Sequence, residues 1–212
     1  MRILYGSQNF GYDTPVSDKD WVEILIPGWD DILNLRALSN EIIEADDSHL
    51  KQRDIRVQLK LFKNGHFNSY QLLYSKVYIG CDDFKWFLDN RERIVRHNIY
   101  QSYLSNSRNI LGMLSGTDYE SKSITRAYVM CTLLKRLLSN EEFKVYCDGA
   151  REYRDWLNSI DKDKRKKEAE KLVNEIKGLE CEFERFKDIV DTSLIKDMDV
   201  EVCRLIKNKL NT

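Results

Sequence analysis

Chain-breaking residues are distributed unevenly along this sequence, and that limits what it can fold into. Both prolines, Pro15 and Pro27, and five of the nine glycines fall before residue 81, where short apolar runs alternate with turn signals. Beyond Gly80 the apolar residues recur with helical spacing almost to the end. In the first part, RILY (2–5) and WVEILIP (21–27) read as strands, and DDILNLRAL (30–38) as a helix capped by Asp30. NEIIEA and HLKQR read as a hairpin-like pair around DDS. DIRVQLKLFKN reads as a helix closing at Gly65, which suits a left-handed cap. In the second part helices are expected over 82–106, 121–139, 149–159, 163–190 and 197–210. The expected class is α+β, with a small mixed β-sheet domain over 1–80 followed by an all-helical domain over 81–212.

Charge and composition narrow the function. With 34 Lys and Arg against 35 Asp and Glu, the chain has no global basic field to drive indiscriminate nucleic-acid binding. No apolar run approaches the roughly 20 residues that span a bilayer, and Met1 leads directly into RILYG without the apolar segment of a secretion signal. A cytoplasmic protein with no membrane partner is expected. The five cysteines are scattered without a C-x-x-C spacing, the pattern of reduced, mostly buried thiols rather than of a disulfide framework or a zinc site. The run DKDKRKKEAEKLVNEIKGLECEFERFKDIV mixes both charge signs at i, i+4 spacing, as a solvated helix face does.

The chemistry concentrates in YGSQNFGYDTPVSDKDWVEILIP (5–27). If Asp20 begins the strand, Asp18 and Asp20 project on one face and their carboxylates can share a divalent cation. Two like charges this close need a counter-charge, which Mg²⁺ supplies while binding phosphate oxygens. Gly6 lets a backbone approach a polyphosphate, and the Ser7 hydroxyl can donate to it. The sequence holds its own control. D-x-D recurs as Asp161-Lys162-Asp163 and Asp197-Met198-Asp199, without a preceding Gly-Ser and in helical surroundings where residues two apart diverge.

Gly-Ser, ten residues, then Asp-x-Asp at the head of an apolar strand resembles the signature of the DNA polymerase β-type nucleotidyltransferase superfamily. GSQNFGYDTPVSDKD is similar to a subgroup of predicted bacterial and phage nucleotidyltransferases reading roughly G-S-Q-N-Y-G-L-D-T-x-x-S-D-x-D. The likeness extends into RDIRVQLKLFKNGHFNSYQLLYS (53–75) and more faintly into AREYRDWLNSI (150–160). It implies a catalytic domain over 1–80 that transfers a nucleoside monophosphate from an NTP to an acceptor hydroxyl, on RNA, a protein or a small molecule, releasing pyrophosphate with Mg²⁺ or Mn²⁺. Asp18 and Asp20 would bind the metal, and Gly6 and Ser7 would hold the outer phosphates. A third carboxylate from a neighbouring strand would complete the metal site and take the acceptor proton, and Asp54 is the candidate.

Asp54 reads equally well as the N-cap of the helix beginning at Ile55. Relatives carry an acidic residue a few positions earlier, where this chain has His49, Lys51 and Gln52, leaving Glu44 and Asp47 as alternatives. The family's N-P and L-E become Gly65-His66 and Tyr70-Gln71. These departures keep a second reading open, a nucleotide-binding regulatory module of the same fold with weakened or lost turnover. A third reading is a helical interaction protein whose first domain is scaffold. Arg56, Lys60 and Lys63 form a basic stripe at i, i+4 and i+7, and Arg56 and Lys60 are candidate triphosphate contacts. Arg126 and Lys135 are weaker candidates of the same kind. His66 and His97 lack a partner at a recognisable spacing and read first as structural.

Overall fold

The computed structural model describes residues 1–15, 17–43, 48–80, 82–116, 118–139 and 141–211, with backbone alone for 41–43. The chain is α+β. Strands β1 (Arg2–Tyr5), β2 (Asp20–Leu25), β3 (Ser39–Ile43), β4 (His49–Asp54) and β5 (Tyr78–Ile79) form one mixed sheet in the order β3-β4-β2-β1-β5. β1 pairs antiparallel with β2 and β5, and β3 pairs antiparallel with β4 as the expected hairpin. β2 and β4 run parallel, with Asp20 opposite His49 and Leu25 opposite Asp54. Side chains alternate across the pleat. Asp20, Val22 and Ile24 therefore share one face with Ile3, Tyr5, His49, Lys51 and Arg53. The other face carries a polar ladder, in which Asn40 donates to Gln52 at 3.1 Å, Gln52 to Glu23 at 2.6 Å and Arg2 to Glu23 at 3.4 Å.

Between these strands lie α1 (Ser7–Phe10), α2 (Trp29–Leu33), α3 (Ile55–Lys63) and α4 (Phe67–Tyr70). α2 is shorter than the pattern predicts. Gly28, not Asp30, caps it with Asp31 bonded back to the Gly28 N–H at 3.1 Å, and Leu35 turns to φ 52° just beyond its end. The two-residue β5 was not expected from the sequence. Helices α5 (Lys85–Asp89), α6 (Arg91–Arg96) and α7 (Ile99–Leu114) replace the single helix expected over 82–106, because Asn98 caps α7 through the Gln101 N–H and starts a new helix. α8 (Ser121–Leu138), α9 (Ala150–Ser159), α10 (Lys162–Gly178), α11 (Glu180–Glu184) and α12 (Thr192–Leu210) complete the chain. The helix expected over 163–190 stops at Gly178, a poor helix former.

One cluster of buried side chains runs from Ile3 on β1 to Leu205 on α12, so the core continues across the change of element type near residue 80. Phe67, Tyr70 and Phe143 pack there with ring centroids 5.9 to 6.4 Å apart. Each such side chain contributes roughly 1.5–3 kcal/mol by leaving water. Of the described cysteines, Cys131 and Cys147 are buried while Cys181 and Cys203 are exposed, which corrects the expectation of mostly buried thiols. No helix among the described residues is long and apolar enough to cross a membrane.

Asp54 ends β4 and starts α3. Its carboxylate is fully buried and accepts hydrogen bonds from the Arg56 N–H at 2.8 Å, Arg56 Nε at 3.0 Å, Arg56 Nη2 at 2.6 Å and the Leu38 N–H at 3.3 Å. Burial alone would raise its pKa, but the bonds from Arg56 and Leu38 outweigh it and hold the carboxyl below the usual range. Breaking a buried ion pair costs about 3–5 kcal/mol, discounted here because Arg56 is partly exposed. Asp54→Ala is therefore expected to lose about 2–3 kcal/mol in urea unfolding, with Asp54→Asn losing less because asparagine keeps the cap. Equal losses in the two variants would contradict this account of Asp54.

Candidate active site

The site begins at the turn from β1 into α1. Gly6 adopts φ 84° and ψ −148°, a region open essentially to glycine alone. A Cβ there would lie 2.5 Å from Asp20 Oδ2. The turn and the carboxylate are thus in direct contact, as the register requires, because Tyr5 pairs with Asp20 across β1 and β2. Gln71 fastens the turn from below, its buried Oε1 accepting the Gly6 N–H at 2.9 Å. Asn9 closes it from the side, donating to the Leu4 carbonyl at 2.7 Å.

The segment leading to Asp20 is equally well held. Thr14 N–H donates to Ser17 Oγ at 2.8 Å and Ser17 N–H to the Thr14 carbonyl at 2.9 Å, so the T-x-x-S of the motif is a tight turn. Arg154 donates to the Tyr12 carbonyl at 2.9 Å and Arg151 pairs with Asp13 at 2.8 Å. Both arginines come from α9, which therefore packs against the loop between α1 and β2. His49 N–H bonds to the Lys19 carbonyl at 3.0 Å and docks Asp18-Lys19-Asp20 on β4.

Gly6, Ser7 and Asp20 line one cleft of about 190 Å³, together with Tyr5, Tyr12 and Gln71. Lys122 and Arg126 of α8 supply its cationic wall. Asp18 is exposed, two residues before the strand begins. Sequence reasoning named Arg126 only as a weak candidate and missed Lys122 and Gln71. The one signal for Gln71 in the sequence is its place in 53–75, the stretch that resembles the nucleotidyltransferase pattern, where that pattern has an acid.

Asp54, Arg56 and Lys60 are not brought to this cleft. Asp54 is five residues along β4 from the partner of Asp20, about 16 Å at the usual strand rise, and on the opposite face. The metal and catalytic roles expected for Asp54 are corrected on that geometry, and its N-cap role is retained. Arg56 is committed to Asp54 and the Arg36 carbonyl, and Lys60 is exposed on α3 outside the cleft lining. Lys63 pairs with Asp199 and Lys135 with Glu175. The other two D-x-D copies are structural as well. Asp161 caps α10, and Asp197 and Asp199 ion-pair with Arg93 and Lys63. His97 is buried, with its ring nitrogens 2.6 Å from the Ile94 carbonyl and 3.1 Å from the Lys63 carbonyl. Glu44 and Asp47 lie outside the described residues.

On the face of β4 that Asp20 shares, the residues are His49, Lys51 and Arg53, all basic. Asp18 stands exposed outside the cleft lining, so the donor set there is the Asp20 carboxylate, a hard oxygen ligand suited to one Mg²⁺. It does not fit a two-metal site on β2 and β4. Among the described residues no three His, Cys, Asp or Glu side chains converge as a metal cluster.

His66 lies beside the cleft, where α3 ends. Gly65 makes the corner at φ 67°, as its left-handed cap requires, and a Cβ there would lie 2.2 Å from Ser102 Oγ. Burial, then the charges of Arg53 and Arg126, push the His66 pKa below its ordinary value, so the ring is neutral at pH 7. Compared with known proteins, the chain matches no family model and no curated protein.

Two expectations follow from this geometry. Gly6→Ala should cost about 1–3 kcal/mol in denaturant unfolding from backbone strain alone and should displace the Asp20 carboxylate; a variant as stable as the parent contradicts the contact. For His66, the folded state binds fewer protons than the unfolded state between its lowered pKa and about 6.5. Stability should therefore fall as pH drops from about 7 through that window, and His66→Gln should flatten this part of a urea-midpoint profile. An unchanged profile contradicts the shift.

Proposed function

We propose that the chain transfers a nucleoside monophosphate from an NTP to an acceptor hydroxyl. The observation that carries this reading is the contact of the Gly6-Ser7 turn with the Asp20 carboxylate, across one cleft from Lys122 and Arg126. A site for a metal-bound polyphosphate needs those parts: a backbone without a side chain, a hydroxyl donor, hard anionic ligands and cations facing them. The resemblance of GSQNFGYDTPVSDKD to the polymerase β-type signature supports the same chemistry.

In this reading the Ser7 hydroxyl donates to the outer phosphates, and Gly6 leaves room for them beside Asp20. Lys122 and Arg126 offset the charge of the triphosphate from the other wall, Arg126 through a fork suited to phosphate oxygens. Asp20 would hold Mg²⁺, which when bound supplies charge stabilisation to the transferring phosphoryl group. Gln71 fixes the Gly6 backbone and acts as a positioning residue. The remaining catalysis is alignment of the acceptor with the phosphorus.

A second reading is favoured by a specific observation. Lys51 and Arg53 stand on β4 where a third carboxylate would be needed, and a general base contributes about 10²–10⁴-fold to rate. A chain that binds NTP in this cleft and turns it over slowly or not at all is consistent with that exchange.

Incubation with each α-phosphate-labelled NTP, Mg²⁺ and cellular RNA or protein separates the two. Metal-dependent labelling that Asp20→Asn abolishes supports transfer. Mg²⁺ and NTP stabilising the protein jointly more than either alone, without labelling, supports the binding module. Neither effect, or full activity in Asp20→Asn, overturns both.

A further inference from the structure

A second cavity, of about 230 Å³, adjoins the phosphate cleft and shares Asn68 and Arg126 with it. We infer that this cavity, lined by His66, Asn68, Asn106, Asn109, Met113 and Met130, is the subsite for the nucleobase of the triphosphate. The inference rests on the nucleotide reading above and adds to it the place and chemistry of the base.

The lining suits an uncharged, planar, polar ring. Among the described residues it contains no acidic side chain, and its one cation, Arg126, stands on the side shared with the phosphate cleft. Three carboxamides and an imidazole supply both donors and acceptors at separate points, as the edge of a nucleobase requires. The two methionines offer polarisable surface for the ring faces.

Two of the polar groups are set by the fold. Asn106 is buried, and its Nδ2 is committed to the Ser102 carbonyl at 2.5 Å and the Gly65 carbonyl at 3.4 Å. Its oxygen is therefore the atom left to accept a hydrogen bond from a ligand. His66 Nδ1 is buried without a partner among the described residues, which leaves Nε2 as the ring nitrogen available to the cavity. Kept neutral by burial and then by the charges of Arg53 and Arg126, the imidazole presents a hydrogen bond without a charge.

The residues come from three places, the α3–α4 corner, α7 and α8. The cavity thus lies between the sheet-bearing part, which holds the phosphate turn, and the helices, which hold the amides. A triphosphate seated on Ser7 and Asp20 would extend its nucleoside past Arg126 into this space.

The test compares the affinities of Mg²⁺-tripolyphosphate, the four Mg²⁺-NTPs and the free nucleosides, for the full chain and for the Asn109→Ala and Met113→Ala variants, whose side chains are exposed or half-buried. At least one NTP should bind tenfold or more tighter than tripolyphosphate. Each variant should weaken that NTP by about tenfold, the worth of one lost contact of about 1–1.5 kcal/mol, and leave tripolyphosphate unchanged. If tripolyphosphate binds but no nucleoside moiety adds affinity, the base subsite is wrong and the phosphate site stands. A nucleoside that binds where tripolyphosphate does not, with the variants weakening it, keeps the base subsite and removes the phosphate reading. If neither binds, both fall. Variants that weaken a short RNA and leave NTP binding unchanged would assign the cavity to the acceptor and overturn the inference.

Discussion

The approach of Gly6 to the Asp20 carboxylate is the constraint on which the rest of the site depends. No other residue can take that position, because both the backbone angles and the missing Cβ are required at once. The contact is possible only because β1 and β2 pair with Tyr5 opposite Asp20. A one-residue slip would turn Asp20 to the other face and carry Val22 and Ile24 out of the core with it. Register, core and site are therefore one choice, made by the alternation of apolar and polar residues along β2.

The helices act as clamps on this contact. Gln71 follows α4 and holds Gly6 from beneath. Arg151 and Arg154 from α9 grip the loop between α1 and β2, and α8 brings Lys122 and Arg126 to face it. Since the core is continuous from β1 to α12, loosening the helical part would loosen the loop that carries Asp18 and Asp20. This is a physical reason for a small sheet to be attached to so much helix.

How much of this was legible in the sequence depended on range. Local patterns were enough for β1, the β3–β4 hairpin, α3 with its Asp54 cap, and the Gly65 corner, because each is written in consecutive residues. Asp20 at the head of β2 could be read from the Gly-Ser and Asp-x-Asp spacing. Asp54 as a metal ligand could not be excluded, since its distance from Asp20 depends on the parallel β2–β4 register, which no local pattern states. The same holds for Gln71 and Arg154, whose partners Gly6 and Tyr12 lie 65 and 142 residues away in sequence, and for Lys122, which meets Gly6 and Asp20 only at the cleft. The basic stripe on α3 misled for a related reason: Arg56 and Lys63 are used up by Asp54 and Asp199, and only tertiary structure shows that.

The central claim is that a metal-bound polyphosphate sits against Gly6 and Ser7 with Asp20 at its side. A crystal structure of the chain soaked with Mg²⁺ and a non-hydrolysable NTP analogue tests it most directly. The account predicts phosphate density within hydrogen-bond distance of Ser7 Oγ and a six-coordinate cation on the Asp20 carboxylate, with Lys122 or Arg126 on the opposite phosphate oxygens. Phosphate density centred instead on Arg56 and Lys60 of α3, or a cation bound at Asp54, would contradict it.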